Sequence, residues 1–390
     1  MPPFPPLRFG FATRLALLYV ALFALMGVQL PFFPLWLKAK GLDAGTIGLV
    51  LAVPMVVRVL AIPFVARQAD RHDAVRAALM VTAAASVAGY LLVAFAEGAG
   101  AIFAAYALAS LAFTPIGPLT ETYALKGLGQ RGRTYGPVRL WGSAAFIFGS
   151  FATGIAADVM APRYLIWLIV TGAVVMALAT VPLEPLTTPR PAPDVPTAPR
   201  RPLLRDVVFL AVLVAGSLIQ ASHAVYYGFS ALAWSKAGLD GSVIAALWAL
   251  GVIAEIVLFA LQSRLPHALT PIGLMMIGAG GAALRWTAMA FDPPVAVLPF
   301  LQLLHAASFG ATHLGALTFI ARRAPPGQAA SAQGYYAIAQ GVAMAAAMGL
   351  SGWLFGAFGS AAYGAMALAA VVGGACGIVA QVARRRIPVP

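Results

Sequence analysis

The sequence predicts an all-α polytopic membrane protein with twelve transmembrane helices in two pseudo-symmetric six-helix halves. Three observations lead there. Hydrophobic residues make up 61% of the chain and charged residues 9%, against ~45–50% and ~25% in ordinary soluble domains. So few charges cannot cover a soluble fold of this size. A helical bundle in lipid needs no such cover, because each helix satisfies its own backbone polar groups. The apolar residues also gather in runs of about 20, the length a bilayer crossing requires. Finally, the chain repeats part of itself at an offset of 197 residues.

The runs fall at 13–37, 45–66, 75–96, 100–124, 136–158, 163–183, 206–234, 242–262, 269–291, 295–321, 328–357 and 360–383. The first is too long for the apolar core of a signal peptide and is expected to be a span. Residues 184–206 are rich in Pro, Arg and Asp. They are expected to form a linker between an N-terminal half, 1–183, and a C-terminal half, 207–390. The single cysteine, Cys376, excludes an internal disulfide.

The net charge of +13 lies in the short connections rather than in a stripe, so no nucleic-acid partner is expected. With the N-terminus inside, eighteen of the 25 basic residues fall on the cytoplasmic side and four outside. That imbalance predicts both termini in the cytoplasm. Arg384 to Arg386 are expected to anchor at lipid headgroups.

The repeat aligns Gly41-Leu42-Asp43 with Gly238-Leu239-Asp240 and carries Arg58 onto Glu255. Glu255 is the one carboxylate in Leu247–Leu261, an otherwise apolar run. An acid at that depth costs roughly 2.5–3.5 kcal/mol on insertion scales, so it is expected to face a partner or an ion path. Alternating proximity to Arg58 or Arg285 is the expected pairing.

Other polar residues lie inside the runs. Glu121 and Arg139 are 18 residues apart across a short connection, and antiparallel neighbours can bring them together. Gln220, His223, Tyr226 and Tyr227 share one helical face in the seventh run, which suits a cavity wall. The ninth run holds Arg285 and Trp286, and the tenth holds Gln302, His305 and His313. Two His and one Glu could in principle hold a metal, but histidines inside a membrane more often serve in hydrogen bonds or proton relays, and no metal or cofactor is expected. The chain has no Gly-x-x-x-x-Gly-Lys-Ser/Thr run and no nucleophile motif in its loops, so neither a pump nor an enzyme is expected.

The run Ala66-Arg67-Gln68-Ala69-Asp70-Arg71-His72-Asp73-Ala74-Val75-Arg76 resembles the signature loop of the major facilitator superfamily. Asp70 and Arg71 match it, and Ala66 stands where the pattern has Gly. Tyr135-Gly-Pro-Val-Arg139-Leu-Trp141-Gly-Ser143 and the tenth run resemble the phenylpropionate-permease group, within the proton-symporter branch for oligosaccharides and nucleosides. The resemblance implies a gating role for Asp70 and Arg71. It implies substrate contacts at Glu121 and Arg139, with Trp141 in the matching run, while the polar face of Gln220, His223, Tyr226 and Tyr227, together with Arg58 and Gln302, supplies the other candidate substrate contacts. Arg285, His305, His313 and Glu255 would handle the proton. In lactose permease an acid follows the matching His by three residues, whereas Ser308 stands here, leaving Glu255 as the acid of the second half. The implied protein is a monomeric symporter of the bacterial inner membrane. It would move a proton with a small aromatic acid, or alternatively a sugar or nucleoside, or export by antiport, with the lipid bilayer as its surroundings.

Overall fold

Apolar runs shielded from water close their hydrogen bonds within the segment, and every regular element among the described residues is a helix. The computed structural model describes residues 10–186, 203–266, 268–324 and 328–386. The helices are α1 (Phe11–Ala39), α2 (Ala44–Arg71), α3 (Val75–Phe95), α4 (Ala99–Phe113), α5 (Ile116–Gly129), α6 (Gly136–Val159) and α7 (Ile166–Thr180). After the 187–202 segment come α8 (Val207–Ala221), α9 (Ala224–Lys236), α10 (Gly241–Ala260), α11 (Pro271–Ala290), α12 (Leu298–Leu303), α13 (Thr312–Arg323), α14 (Ala329–Phe358) and α15 (Tyr363–Arg386).

Eleven stretches of the described residues are long and apolar enough to cross a membrane. The last, Ser331–Ala383, contains both α14 and α15, separated by a 3-10 turn over Gly359–Ala362. Three stretches are interrupted. α4 gives way to α5 at Thr114 and Pro115, α8 to α9 at Ser222 and His223, and α12 to α13 through a π-helix over Ala306–Ala311.

The repeated Gly-Leu-Asp turns share their backbone geometry. Gly41 has φ +86° and Gly238 φ +85°, a region that favours glycine. In both, the following Leu N–H reaches back to a helix carbonyl, Leu42 to Leu37 and Leu239 to Trp234, which is a Schellman ending. The helix starts that follow differ. Asp43 accepts from the Thr46 N–H at 3.0 Å and the Thr46 hydroxyl at 2.7 Å. Those bonds hold its carboxyl below the usual aspartate range, so the cap persists at neutral pH and is lost only as pH falls below that of a free aspartate. Asp240 makes no such cap. The amides of Gly241 and Ser242 instead donate to Asp158, at the far end of α6, at 2.5 and 3.1 Å.

α1 packs on α6 and α7, and α3 on α4 and α7; α15 packs on α8 and α11, and α14 on α8 and α9. The segments before and after 187–202 meet through α2 with α14, α6 with α10, and α1 with α9. Gly48 and Gly352 let α2 and α14 approach until a Cβ on Gly48 would lie 2.7 Å from the Gly352 Cα. A Cβ on Gly154 would lie 2.4 Å from the Gly241 carbonyl oxygen. Small residues permit such close helix crossings in lipid. Both crossings lie at the end of the bundle where α1 finishes.

Asp206 caps α8 by accepting from the Val208 and Phe209 amides at 3.0 and 3.3 Å, and pairs with Arg323 of α13 at 2.8 Å. The pair is partly exposed and adds little. Asp206→Ala is expected to cost about 1 kcal/mol, mainly through the lost cap, and to lower the thermal unfolding midpoint in detergent.

Candidate functional site

Arg285 of α11 is completely buried. One guanidinium nitrogen donates to Gln302 Oε1 at 2.5 Å and another to His305 Nδ1 at 3.1 Å. The guanidinium carbon lies 4.5 Å from the Tyr226 ring centroid and 4.6 Å from that of Trp286. No carboxylate among the described residues pairs with it. The Arg285 Nε and Gln302 Nε2 donors are buried without partners. Two linked donors without acceptors, beside two aromatic faces, are arranged to receive a planar anion such as a carboxylate.

The ring protons of the histidines follow from their partners. Arg285 can only donate, so His305 Nδ1 accepts and the ring proton sits on Nε2. That nitrogen faces Glu255 Oε2 at 3.6 Å, close enough for charge attraction and beyond a good hydrogen bond. His223 has the other tautomer. Its Nδ1 lies 3.1 Å from the Gln220 carbonyl and must donate, so Nε2 accepts from the Ser308 hydroxyl at 3.2 Å. Ser308 thus holds a neighbouring histidine where the lactose-permease pattern has an acid.

The breaks in the helices place these groups. At Ser222 the turn from α8 to α9 frees a hydroxyl that accepts from the Trp286 indole at 2.9 Å. His223, Tyr226 and Tyr227 remain clustered across the break, with His223 and Tyr227 centroids 5.6 Å apart. The π-helix accommodates more residues per turn than an α-helix, so residues four apart fall nearer one line. His305, Phe309 and His313 accordingly stack in a column, at 5.1 and 5.9 Å, each 13° from parallel. Gln220 donates to the Phe309 carbonyl at 3.3 Å, bracing the loosened backbone. Gly310 leaves room for Glu255, whose Cγ would lie 3.6 Å from a Cβ placed there.

A second polar cluster lies before the 187–202 segment. Arg139 of α6 pairs with Glu121 of α5 at 3.5 Å, as their spacing predicts, and its guanidinium lies 4.1 Å from the Phe23 centroid. Tyr135 donates a short hydrogen bond to the other Glu121 oxygen. Glu255 lies within electrostatic reach of Arg139 and His313. The two clusters therefore face one another across the α6 and α10 contact.

Several expected contacts do not form. Arg58 does not pair with Glu255; its nearest polar contact is Met55 Sδ at 4.0 Å. The repeat sets its depth, but α2 packs on α14 while α10 packs on α6, so the two side chains occupy different interfaces. Glu255 does not touch Arg285 either, because His305 stands between them. Trp141 is 59% exposed and makes no ring contact with either cluster among the described residues. It lies two residues from Arg139, on the opposite side of α6. Arg71 is exposed at the end of α2, and the Asp70 side chain lies outside the described residues. Sequence reasoning missed Trp248, which stacks on Tyr226 at 4.7 Å. Its position two helical turns before Glu255 was the available signal.

The "MFS_1 like family" model matches residues 12–364. A protein of Escherichia coli (strain K12) named as a probable 3-phenylpropionic acid transporter is 34% identical over 369 residues, covering 92% of this chain and 96% of its own. The maltose permease of Geobacillus stearothermophilus is 26% identical over 329 residues, covering 82% of each chain. The crystal structure of the nucleoside transporter NupG superposes with a TM-score of 0.80 at 16% identity, over 96% of this chain and 99% of that one. That last likeness concerns the fold alone. The chain belongs to the MFS_1 like family and is a multi-pass membrane transporter of the major facilitator type.

Proposed function

We propose that the chain is a proton-coupled symporter of a small aromatic carboxylate, working by alternating access between two six-helix halves, 1–183 and 207–390. The observation that carries this reading is Arg285, a buried cation with no carboxylate partner among the described residues, an unsatisfied Nε and two aromatic walls. A substrate carboxylate supplies the missing acceptor and the missing charge. The named substrate of the Escherichia coli relative is of this class.

Coupling follows from competition for Arg285. A carboxylate bonded at Nε brings a negative charge beside the guanidinium and weakens its hold on His305 Nδ1, and the freed ring can accept a second proton. The resulting imidazolium faces Glu255 across 3.6 Å. Glu255 and His305 share the transported proton, with His313 and Arg139 setting the local charge. Gln220, His223, Tyr226, Tyr227 and Gln302 form the pocket wall around Arg285, and Glu121 with Arg139 closes it from the other half.

Twelve crossings put both termini on one side, the cytoplasmic one by the excess of basic residues there. The Gly48 and Gly352 crossing, the Gly154 and Gly241 crossing and the Asp158 cap then close the outer end, giving an inward-facing state. Asp70 and Arg71 lie at the cytoplasmic end of α2, where they act in gating. The test is counterflow in proteoliposomes preloaded with 3-phenylpropionate, maltose or a nucleoside. Exchange of 3-phenylpropionate alone is expected; exchange confined to the sugar or the nucleoside would remove the carboxylate reading.

A further inference from the structure

A cavity of about 1020 Å³ lies at the end where α1 and α9 finish. Its size suits a small ligand. Lys38 at the end of α1 and Lys236 at the end of α9 both line it, one from each side of the 187–202 segment, and neither makes an ion pair with a described residue. Asp292 is the single acid in the lining. Phe229 and Trp234 supply aromatic wall. Tyr363 also lines it and is 1% exposed, and its hydroxyl has no hydrogen-bond partner. The Tyr363 ring stacks on Trp286 at 5.7 Å and 16°, and Trp286 in turn lies beneath Arg285. Two stacked rings therefore separate this cavity from the buried guanidinium.

We propose that this cavity is an outer binding site for a monoanion carrying an aromatic ring. The carboxylate would sit between Lys38 and Lys236, and the ring against Phe229 and Trp234. The Tyr363 hydroxyl offers the ligand a further hydrogen bond at the floor, next to the partition it must pass to reach Arg285. This inference rests on the carboxylate class proposed above. The excess of two cations over one acid draws an anion in, and the unpaired lysines lose no protein partner when they take it. Neither lysine belongs to the Arg285 cluster, so the two sites can be removed independently.

Equilibrium dialysis of radiolabelled 3-phenylpropionate against the purified full chain tests it. The wild type is expected to bind two molecules per chain. Lys38→Gln with Lys236→Gln should remove one, by weakening it about tenfold or more, and leave the other. Lys38→Arg with Lys236→Arg should keep both. Tyr363→Phe should weaken the outer molecule alone, and Arg285→Gln should remove the inner one alone. Both lysines are exposed, so an unchanged unfolding midpoint is expected for those variants. A single bound molecule, lost in Arg285→Gln and untouched by the lysine changes, overturns the outer site and leaves the proposed function standing. A single molecule lost only in the lysine variant supports the outer site and overturns the role of Arg285. No binding at all overturns both.

Discussion

Arg285→Gln is expected to lower the affinity for 3-phenylpropionate at least about a hundredfold, because a bidentate carboxylate contact consists of two charge-assisted hydrogen bonds worth ~1.5–3 kcal/mol each. Arg285→Lys should recover only part of this. An ammonium keeps the charge but lacks the planar fork and stacks poorly between Tyr226 and Trp286. Stability should move far less than binding. Removing a buried cation relieves its desolvation cost, and this offsets the bonds lost to Gln302 and His305. Calorimetric binding alongside thermal unfolding separates the effects. A large fall in unfolding temperature with retained affinity would make Arg285 a structural brace.

Glu255→Gln is expected to abolish uptake driven by a pH gradient while leaving exchange of labelled for unlabelled substrate within about threefold of wild type. The amide matches the carboxyl in size and still packs over Gly310, but it cannot carry a proton. Exchange needs only that the loaded protein change its facing direction, so it survives. His305→Ala should impair both processes, since His305 touches Arg285 and Glu255 alike. Stopped-flow uptake with a pH-sensitive dye inside the vesicles reads the first process, and isotope counterflow reads the second. Equal loss of both in Glu255→Gln would mean that this carboxylate binds substrate or holds the fold instead.

The helices were legible because run length alone decides a crossing, and the repeat because Gly-Leu-Asp recurs at a fixed offset; that Gly41 and Gly238 close Schellman endings in the left-handed region is seen only in the structure. The Glu121 and Arg139 pair was legible from antiparallel spacing. The π-helix was not, since nothing in Ala306–Ala311 marks an extra residue per turn; its bracing comes from Gln220, 89 positions from Phe309. The Arg58 and Glu255 pairing failed for a related reason. A repeat fixes depth along the helix, whereas the neighbour each helix faces is decided by packing. Ser308 looked like a missing acid and proved to be the partner of His223, a contact no spacing could reveal.

The proposed symport couples one proton to one aromatic carboxylate. One proton with one monoanion carries no net charge, so a pH gradient should drive uptake and a membrane potential should not. The direct measurement is the initial rate of 3-phenylpropionate uptake into proteoliposomes at alkaline external pH, where little undissociated acid leaks through lipid. Protein-free vesicles provide the baseline. Saturable uptake above that baseline is expected, rising with an inward proton gradient and indifferent to a potassium-diffusion potential. Uptake that persists unchanged when the pH gradient is collapsed, or that follows the potential instead, would contradict it.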